Sequence, residues 1–198
     1  MLLVFETAMT AEEKRRLMTV YEGSNRENAG EFYPGVPAEE AVQRVRDGFC
    51  AFLDQFLASP QNTCYVWAED GEWVSALRLT RLPDFYYMEA LETAPDRRRR
   101  GCAERLLRAV SEYLVQNARR SSDSTETDTV VIRSCVSKRN APSLAIHRKC
   151  GFTIDQDPAQ GYYADPPVEN PRAYGMKLEA GAGDRQSAIG DAMIAPHP

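Results

Sequence analysis

Hydrophobic and polar positions along the chain follow two different spacings. Short apolar runs bounded by turn residues predict strands over 2–7, 64–68, 73–80, 86–93, 129–136, 152–154 and 174–178. Apolar residues at spacings of three and four predict helices over 10–21, 38–58, 101–119 and 141–150. Glycine, asparagine and proline predict a loop over 22–37, and a run of Ser, Thr, Asp and Glu predicts another over 121–128.

Local signals support several of these boundaries. Thr10 and Glu13 have the spacing of a capping box, which begins a helix with two reciprocal hydrogen bonds. Asp70-Gly71 between two apolar runs predicts a tight β-hairpin. Asn140 stands at the start of the last predicted helix, where its amide side chain can satisfy a first-turn N–H group.

The order of these elements predicts the fold class. A strand, a helix and a strand in succession from 86 to 136 predict a parallel pair joined by a right-handed crossover. The hairpin before them predicts antiparallel neighbours. We therefore expect an α/β (α+β) protein with a mixed, mostly antiparallel central sheet and helices on both faces. Residues 1–179 are expected to form a single domain, and residues 180–198, which lack periodicity, a flexible tail.

Composition narrows the classes of function. The 198 residues include 24 basic and 29 acidic side chains, and the net charge of -5 argues against general binding to nucleic acid or anionic membranes. No apolar stretch approaches the roughly 18 residues that a membrane-spanning helix needs. Five widely spaced cysteines without a Cys-x-x-Cys pair, and only two histidines, indicate neither a disulfide framework nor a metal site. They favour a reducing compartment, the cytoplasm.

An arginine-rich segment carries the candidate chemistry. Residues 95–107, Pro-Asp-Arg-Arg-Arg-Arg-Gly-Cys-Ala-Glu-Arg-Leu-Leu, lie between a predicted strand and the start of a predicted helix. A helix N-terminus presents unpaired N–H groups and roughly half a positive charge, so phosphate is a natural ligand there. Neither the Gly-Lys-Ser/Thr of a P-loop nor the glycine spacing of a Rossmann fingerprint is present. A solvated arginine run without a ligand is the alternative interpretation.

Two motifs in the chain resemble those of the GNAT superfamily of N-acetyltransferases. Residues 98–103, Arg-Arg-Arg-Gly-Cys-Ala, match its Arg/Gln-x-x-Gly-x-Gly/Ala signature, and residues 89–95 resemble the strand that leads into it. Residues 140–152, Asn-Ala-Pro-Ser-Leu-Ala-Ile-His-Arg-Lys-Cys-Gly-Phe, are similar to its second motif, Asn-x-x-Ala-x-x-x-Tyr-x-x-x-Gly-Phe. The two motifs are about 40 residues apart with a predicted strand between them, and the resemblance covers about 65–180.

The resemblance implies a GNAT-like fold and an acetyl-CoA-dependent N-acetyltransferase that passes the acetyl group directly to a primary amine. The loop would hold the pyrophosphate of acetyl-CoA, and the main chain of the preceding strand would hold the pantetheine and the acetyl carbonyl. The second motif would contact the same coenzyme. The cofactor-binding residues implied in this way are Leu91, Glu92, Thr93, Arg98, Arg99, Arg100, Gly101, Cys102, Ala103, Asn140, Ser143 and His147.

Direct transfer needs a group that accepts a proton from the attacking amine. Glu89 and Glu92 lie on the strand before the loop and are the candidates. Alternation along a strand places them on opposite faces unless a bulge intervenes. In some polyamine-type members of the family a base glutamate sits where Glu89 falls, so Glu89 is the first candidate. Alternatively, both are ordinary solvated or ion-paired strand residues.

His147 stands where the family usually has a tyrosine that protonates or hydrogen-bonds the departing thiolate. An imidazole with a pKa of ~6.5 is mostly neutral at pH 7, so three roles stay open for it. It acts as a general acid, as a hydrogen-bond donor, or only as a packing residue. A covalent acyl-cysteine route through Cys102 or Cys150 is disfavoured because neither cysteine has a separate base.

Two other functions compete with the transferase. A non-catalytic acyl-CoA-binding or sensor module is the alternative that the replacement of tyrosine by His147 suggests. A nucleic-acid-binding module built on the arginine run is opposed by the net charge. The acceptor, a small-molecule amine or a protein amine, is expected to enter near 22–37 and 155–172. Its identity, the acyl-chain length and the oligomeric state, a homodimer included, stay open.

Overall fold

The computed structural model describes residues 1–121, 129–162, 164 and 166–181. Five helices occur in these ranges: α1 Ala11–Val20, α2 Glu22–Phe32, α3 Ala38–Leu57, α4 Cys102–Ser121 and α5 Ala141–Lys149. The strands are β1 Leu2–Phe5, β2 Asn62–Glu69, β3 Glu72–Arg81, β4 Tyr86–Thr93, β5 Val130–Ser137, β6 Thr153–Gln156, β7 Ala159–Gly161, β8 Val168–Asn170 and β9 Ala173–Ala180. A 3₁₀ turn spans Pro95–Arg97.

Seven of the strands form one sheet in the order β1-β2-β3-β4-β5-β9-β6, and β7 and β8 form a separate two-stranded sheet. β1 is antiparallel to β2, and β9 is antiparallel to both β5 and β6. β4 and β5 run parallel, with Tyr86–Met88 facing Ile132–Ser134. The prediction of a mixed, mostly antiparallel sheet, with a parallel pair around the 86–136 crossover, is therefore confirmed.

The local signals of the sequence are confirmed as well. Thr10 and Glu13 form both hydrogen bonds of the capping box at the start of α1. Asp70 and Gly71 join β2 to β3 with φ values of 50° and 82°. Two consecutive left-handed residues are typical of the type I′ turn, whose twist matches that of a hairpin.

Residues 22–32 correct a prediction, since the segment expected to be a loop is the helix α2. Its glycines and asparagines lower intrinsic helix propensity, but packing against α3 outweighs that cost. Ala29 packs in a small buried cluster with Ala41 and Val42 of α3. Glu22 forms ion pairs with Arg26 one turn ahead and with Arg46 of α3. The burial and the charges that hold the helix thus depend on contacts with α3, which lies later in the chain.

The described chain divides into two compact units. The first contains Met1–Arg78 and Ala90–Ala103, and its buried core is built on α1, α3, β1, β2 and β3. The second contains Leu79–Glu89 and the described residues from Glu104 onward. A single domain over 1–179 stays a prediction. The predicted loop from residue 122 to 128 and the predicted tail from residue 182 on lie outside the described residues.

Candidate active site

The arginine-rich segment forms a compact turn between β4 and α4. Its beginning is fixed in the first unit by the Ala94 N–H, which donates to the Val74 carbonyl at 3.0 Å. The 3₁₀ turn follows, and the Arg97 N–H donates to the Ala94 carbonyl at 2.8 Å. The buried Cys102 thiol lies 3.6 Å from the Arg97 carbonyl oxygen, to which it donates. Because this side chain points into the protein, any contact of Cys102 with a ligand would come from its main chain.

The backbone of this turn is irregular and contains two left-handed residues. Arg98 is extended, with a ψ of 151°, whereas Arg99 and Gly101 are left-handed, with φ values of 62° and 78°. Turns that contain left-handed residues form anion-binding concavities in known phosphate sites. α4 begins directly afterward, at Cys102. The N–H groups of its first turn need acceptors outside the helix, and its dipole attracts negative charge.

Arg98 faces the end of β4. Its Nε donates to the Thr93 carbonyl at 3.3 Å, and its Nη2 lies 3.5 Å from the Glu92 carboxylate. A methyl group added at Gly23 of α2 would collide with the same guanidinium. Gly23 therefore leaves the space that Arg98 occupies, and the arginine connects the turn with the end of β4.

Glu92 is the carboxylate in this arrangement. Its side chain is 25 % exposed. Burial raises the pKa of the Glu92 carboxyl above its ordinary value; the nearby Arg98 opposes the shift, and Glu27 adds to it. The Ser75 hydroxyl donates to the Glu92 carbonyl at 2.5 Å, which fixes the main chain beneath the carboxylate. A half-buried carboxylate with a raised pKa is the environment that makes a glutamate a better proton acceptor.

Ala90 interrupts the regular geometry of β4. Its φ of 53° is left-handed, and the Tyr21 hydroxyl donates to its carbonyl at 2.8 Å. The simple alternation that would place Glu89 and Glu92 on opposite faces therefore does not hold across Ala90. Glu89 lies before this interruption and is half-buried. No sequence signal pointed to Tyr21 or Ser75, because both act through contacts with residues far along the chain.

The second motif lies in the second unit, at the start of α5. The Asn140 side chain caps the helix by accepting a hydrogen bond from the Ser143 N–H at 3.0 Å. His147 is one turn further along, is 2 % exposed, and packs edge-on against Phe152 with the ring centroids 5.0 Å apart. The described structure thus brings Asn140, Ser143 and His147 together on one short helix.

The hydrogen bonds of His147 define its tautomer. Nδ1 lies 2.7 Å from the Ser143 carbonyl oxygen, which can only accept, so Nδ1 carries the proton. In the neutral ring Nε2 then holds an unprotonated lone pair. This atom is buried and has no hydrogen-bond partner in the described structure. Burial lowers the pKa of the His147 imidazole, although the bond to Ser143 opposes the shift. The buried ring is therefore neutral at pH 7 and offers an acceptor at Nε2.

Ion pairs tie α5 to α4. The Glu104 carboxylate lies 2.6 Å from Lys149 Nζ and 3.2 Å from Arg108 Nη2. Cys150 follows Lys149, and burial raises the pKa of its thiol to about 11. A thiol with such a pKa supplies almost no thiolate at pH 7, and the thiolate is the form that attacks. Cys150 is therefore a poor nucleophile at neutral pH.

No group of three potential metal-ligating side chains comes together in the described ranges. No helix there combines the length and the apolar character needed to cross a membrane.

The fold and the turn define a class of protein: a mixed sheet whose fourth strand leads through a turn with two left-handed residues into a helix. The model of the acetyltransferase (GNAT) family matches residues 24–152, about two thirds of the chain. The chain belongs to this family, and the resemblance seen in the two motifs is confirmed. No curated protein sequence matches the chain.

Solved structures with the same fold come from several acetyltransferases. The spermidine N-acetyltransferase of Vibrio cholerae, solved with CoA and spermine, is 12% identical with a TM-score of 0.58, over 90% of this chain and 95% of that one. The PaiA N-acetyltransferase of Thermoplasma acidophilum, solved with coenzyme A, is 12% identical with a TM-score of 0.56, over 89% and 98%. The ribosomal-protein-S18-alanine N-acetyltransferase of Escherichia coli is 14% identical with a TM-score of 0.56, over 95% and 100%. At these identities the likeness concerns the fold alone.

Proposed function

We propose that this protein is an acetyl-CoA-dependent N-acetyltransferase that transfers the acetyl group directly to a primary amine. The observation that carries the proposal is the turn before α4, where left-handed Arg99 and Gly101 bracket Arg100. This backbone suits a phosphate-bearing coenzyme, and membership of the GNAT family supports the same ligand. Two solved structures of this fold, the enzymes from V. cholerae and T. acidophilum, hold coenzyme A.

The residues present fit the coenzyme. The turn from Arg98 to Ala103 combines positive side chains with a helix N-terminus, and both favour a pyrophosphate. The main chain of 91–93 would hold the pantetheine and acetyl carbonyl, and Asn140 and Ser143 would add contacts from α5. When bound, acetyl-CoA would supply a thioester carbonyl to the attacking amine. The acceptor is a small-molecule amine or a protein amine, and the free cysteines among the described residues fit a cytoplasmic location.

Proton transfer is assigned to Glu92 first and to Glu89 second, which reverses the order expected from sequence. A primary amine has a pKa near ~10.4 and an ordinary glutamate near ~4.3, so an unmodified carboxylate is a weak base for it. The burial that raises the pKa of Glu92 reduces this difference. The positive charge of Arg98 opposes part of this rise in the pKa and favours the ionised carboxylate, which is the form that accepts a proton.

His147 is proposed to accept a hydrogen bond from the bound coenzyme or from its thiol once binding uncovers the buried Nε2 atom. Its Nδ1 proton is committed to Ser143, so the neutral ring has a lone pair but no N–H at Nε2. The general-acid role would require the imidazolium, which burial disfavours. Because the pKa is lowered, the ring takes up a proton only as the pH falls below its ordinary ~6.5.

We expect long-range ¹H–¹⁵N NMR spectra at pH 7 to show the His147 ring protonated at Nδ1 and unprotonated at Nε2. The Nε2 resonance should move when coenzyme A is added. A His197→Gln variant identifies the signals, because the chain has only two histidines. A ring protonated at Nε2, or on both nitrogens, at pH 7 would contradict the acceptor role.

The experiment that tests the function is release of free thiol from acetyl-CoA across a panel of amines. We expect amine-dependent release, and a fall of about tenfold or more in kcat/KM for acetyl-CoA in Arg98→Ala, since a hydrogen bond from a charged group contributes about 1.5–3 kcal/mol. Arg81→Ala, at the exposed end of β3, removes an equal charge outside the turn and should behave as wild type. Binding of coenzyme A without release for any amine would favour the sensor module instead.

A further inference from the structure

A basic pocket lies in the second unit at the carboxyl end of β5. It has a volume of about 340 Å³ and is lined by Ser137, Lys138, Arg139 and Arg172. Two chain segments meet there: Ser137, the last residue of β5, pairs with Ala173 of β9, and the Lys138 N–H donates to the Arg172 carbonyl at 2.9 Å. Backbone pairing therefore holds three cationic side chains around one opening.

The charges of this pocket are only partly compensated. Lys138 forms an ion pair with Asp157 and lies over the Tyr174 ring, 5.0 Å from its centroid. Neither Arg139 nor Arg172 forms a side-chain ion pair within the described ranges. Both residues are exposed, so their guanidinium groups are open to the pocket's surroundings. Their main-chain N–H groups donate to the side chains of Ser137 and Asn170. Two uncompensated positive charges in a protein with a net charge of -5 make this a local positive site.

The helix α5, which follows the pocket residues in the chain, adds to the positive electrostatic field of the pocket. α5 begins at Ala141, two residues after Arg139, and its nine residues carry the positive end of the helix dipole at this edge. Asn140 caps the helix through the Ser143 N–H, and Pro142 has no N–H to satisfy. The Ala141 N–H remains as a main-chain donor at the start of the helix. Arginine side chains and a helix N-terminus are complementary to an oxyanion.

We propose that this basic pocket, lined by 137–139 and 172, binds an oxyanion, a phosphate or a carboxylate, that belongs to a ligand of the transferase. A guanidinium group offers two parallel N–H donors that match either oxyanion. The pocket residues directly precede Asn140, which is proposed to contact the coenzyme. The oxyanion would therefore be one of the phosphates of the coenzyme or an acidic group of the acceptor. The assignment to a transferase ligand rests on the proposed function; the binding of an oxyanion does not.

The first experiment tests the pocket alone, with inorganic phosphate and ¹⁵N-labelled protein. A residue-resolved readout is needed because the turn before α4 also attracts phosphate. We expect saturable shifts of the Arg139, Ala141 and Arg172 amides, and an affinity at least about tenfold lower in the double variant Arg139→Gln/Arg172→Gln. Arg81→Gln removes one charge of the same unit outside the pocket and should bind as wild type. Absence of saturable shifts, or unchanged binding by the double variant, would overturn the proposal.

The second experiment identifies the source of the oxyanion. Dissociation constants for coenzyme A and 3′-dephospho-coenzyme A are compared in wild type and the double variant, and acetylation rates are compared for ethanolamine against phosphoethanolamine and for ethylamine against glycine. A preference for coenzyme A that disappears in the double variant assigns the pocket to the 3′-phosphate. A rise in KM confined to the acidic acceptors assigns it to the acceptor.

Two further outcomes separate this proposal from the proposed function. If phosphate binds in the pocket but neither comparison changes in the double variant, the pocket does not serve a transferase ligand and that part of the proposal is wrong. If coenzyme A neither binds nor releases thiol, the transferase proposal fails, and the phosphate titration alone then decides whether the oxyanion site exists.

Discussion

Replacing Gly101 by valine is expected to weaken coenzyme binding about 100-fold or more. Gly101 has a φ of 78° in the turn before α4. A β-branched residue in that conformation costs about 1–3 kcal/mol, so the turn would relax toward another backbone geometry. The N–H groups that are proposed to hold the pyrophosphate would then change direction, and each hydrogen bond lost from a charged phosphate costs about 1.5–3 kcal/mol. Two lost bonds correspond to an affinity for coenzyme A about 100-fold lower or more.

Titration calorimetry with coenzyme A measures this effect, and Gly35→Val is the matched control. Gly35 also has a left-handed φ, 83°, but a Cβ atom there would meet nothing within 4 Å. Both variants should lower the melting temperature by similar amounts, because the backbone strain is of the same kind. Only Gly101→Val should bind the coenzyme more weakly. If a folded Gly101→Val protein binds coenzyme A as wild type does, the turn is not the phosphate site.

Replacing Glu92 by glutamine is expected to lower kcat by about 10²–10⁴-fold, the usual contribution of a positioned general base. The amide is nearly isosteric with the carboxylate but cannot accept a proton from the amine. Affinity for coenzyme A should change little, since the proposal assigns the strand's main chain to that ligand. Steady-state kinetics on the best amine of the panel, with Glu89→Gln alongside, distinguishes the two candidates. A large loss in Glu89→Gln with a fully active Glu92→Gln would return the assignment to Glu89.

The pH dependence of kcat reports the same group. A base must be ionised, so kcat falls as the pH drops through the Glu92 pKa, and burial places this limb above that of an ordinary glutamate. Arg98→Gln removes the positive charge that opposes the shift, so the acidic limb should move to higher pH. Gly23→Ala should move it in the same direction by displacing the guanidinium, whereas Gly30→Ala, in the same helix but with open space around it, should not. An acidic limb that stays in place in Arg98→Gln would contradict the pairing.

Periodicity predicted the strands and helices whose stability comes mainly from one apolar face. α3 and β5 have almost the predicted limits for this reason. α2 was missed because its glycines and asparagines are poor helix formers, and its support comes from Ala41, Val42 and Arg46 of another helix. The hairpin of β7 and β8 was missed because strands of three residues are too short for a periodic signal.

The residues of the candidate site differ in the same respect: some features depend on neighbours in the chain and others on distant residues. The turn and the second motif could be predicted because their geometry depends on a glycine, a helix start and a cap that lie close together in the chain. The choice between Glu89 and Glu92 could not, because it depends on the left-handed Ala90 and on hydrogen bonds from Tyr21 and Ser75. Nor could the tautomer of His147, which is fixed by a main-chain carbonyl one turn away.

The cysteines of the described chain have a practical consequence for measuring turnover. Burial raises the pKa of the Cys64 thiol to about 12 and that of Cys150 to about 11, and it also raises the pKa of Cys50 and Cys135. Cys102 is buried as well. An ordinary thiol ionises near ~8.5, so free coenzyme A should react with a disulfide dye much faster than the folded protein does. Product formation can then be followed continuously against a low background from the enzyme itself.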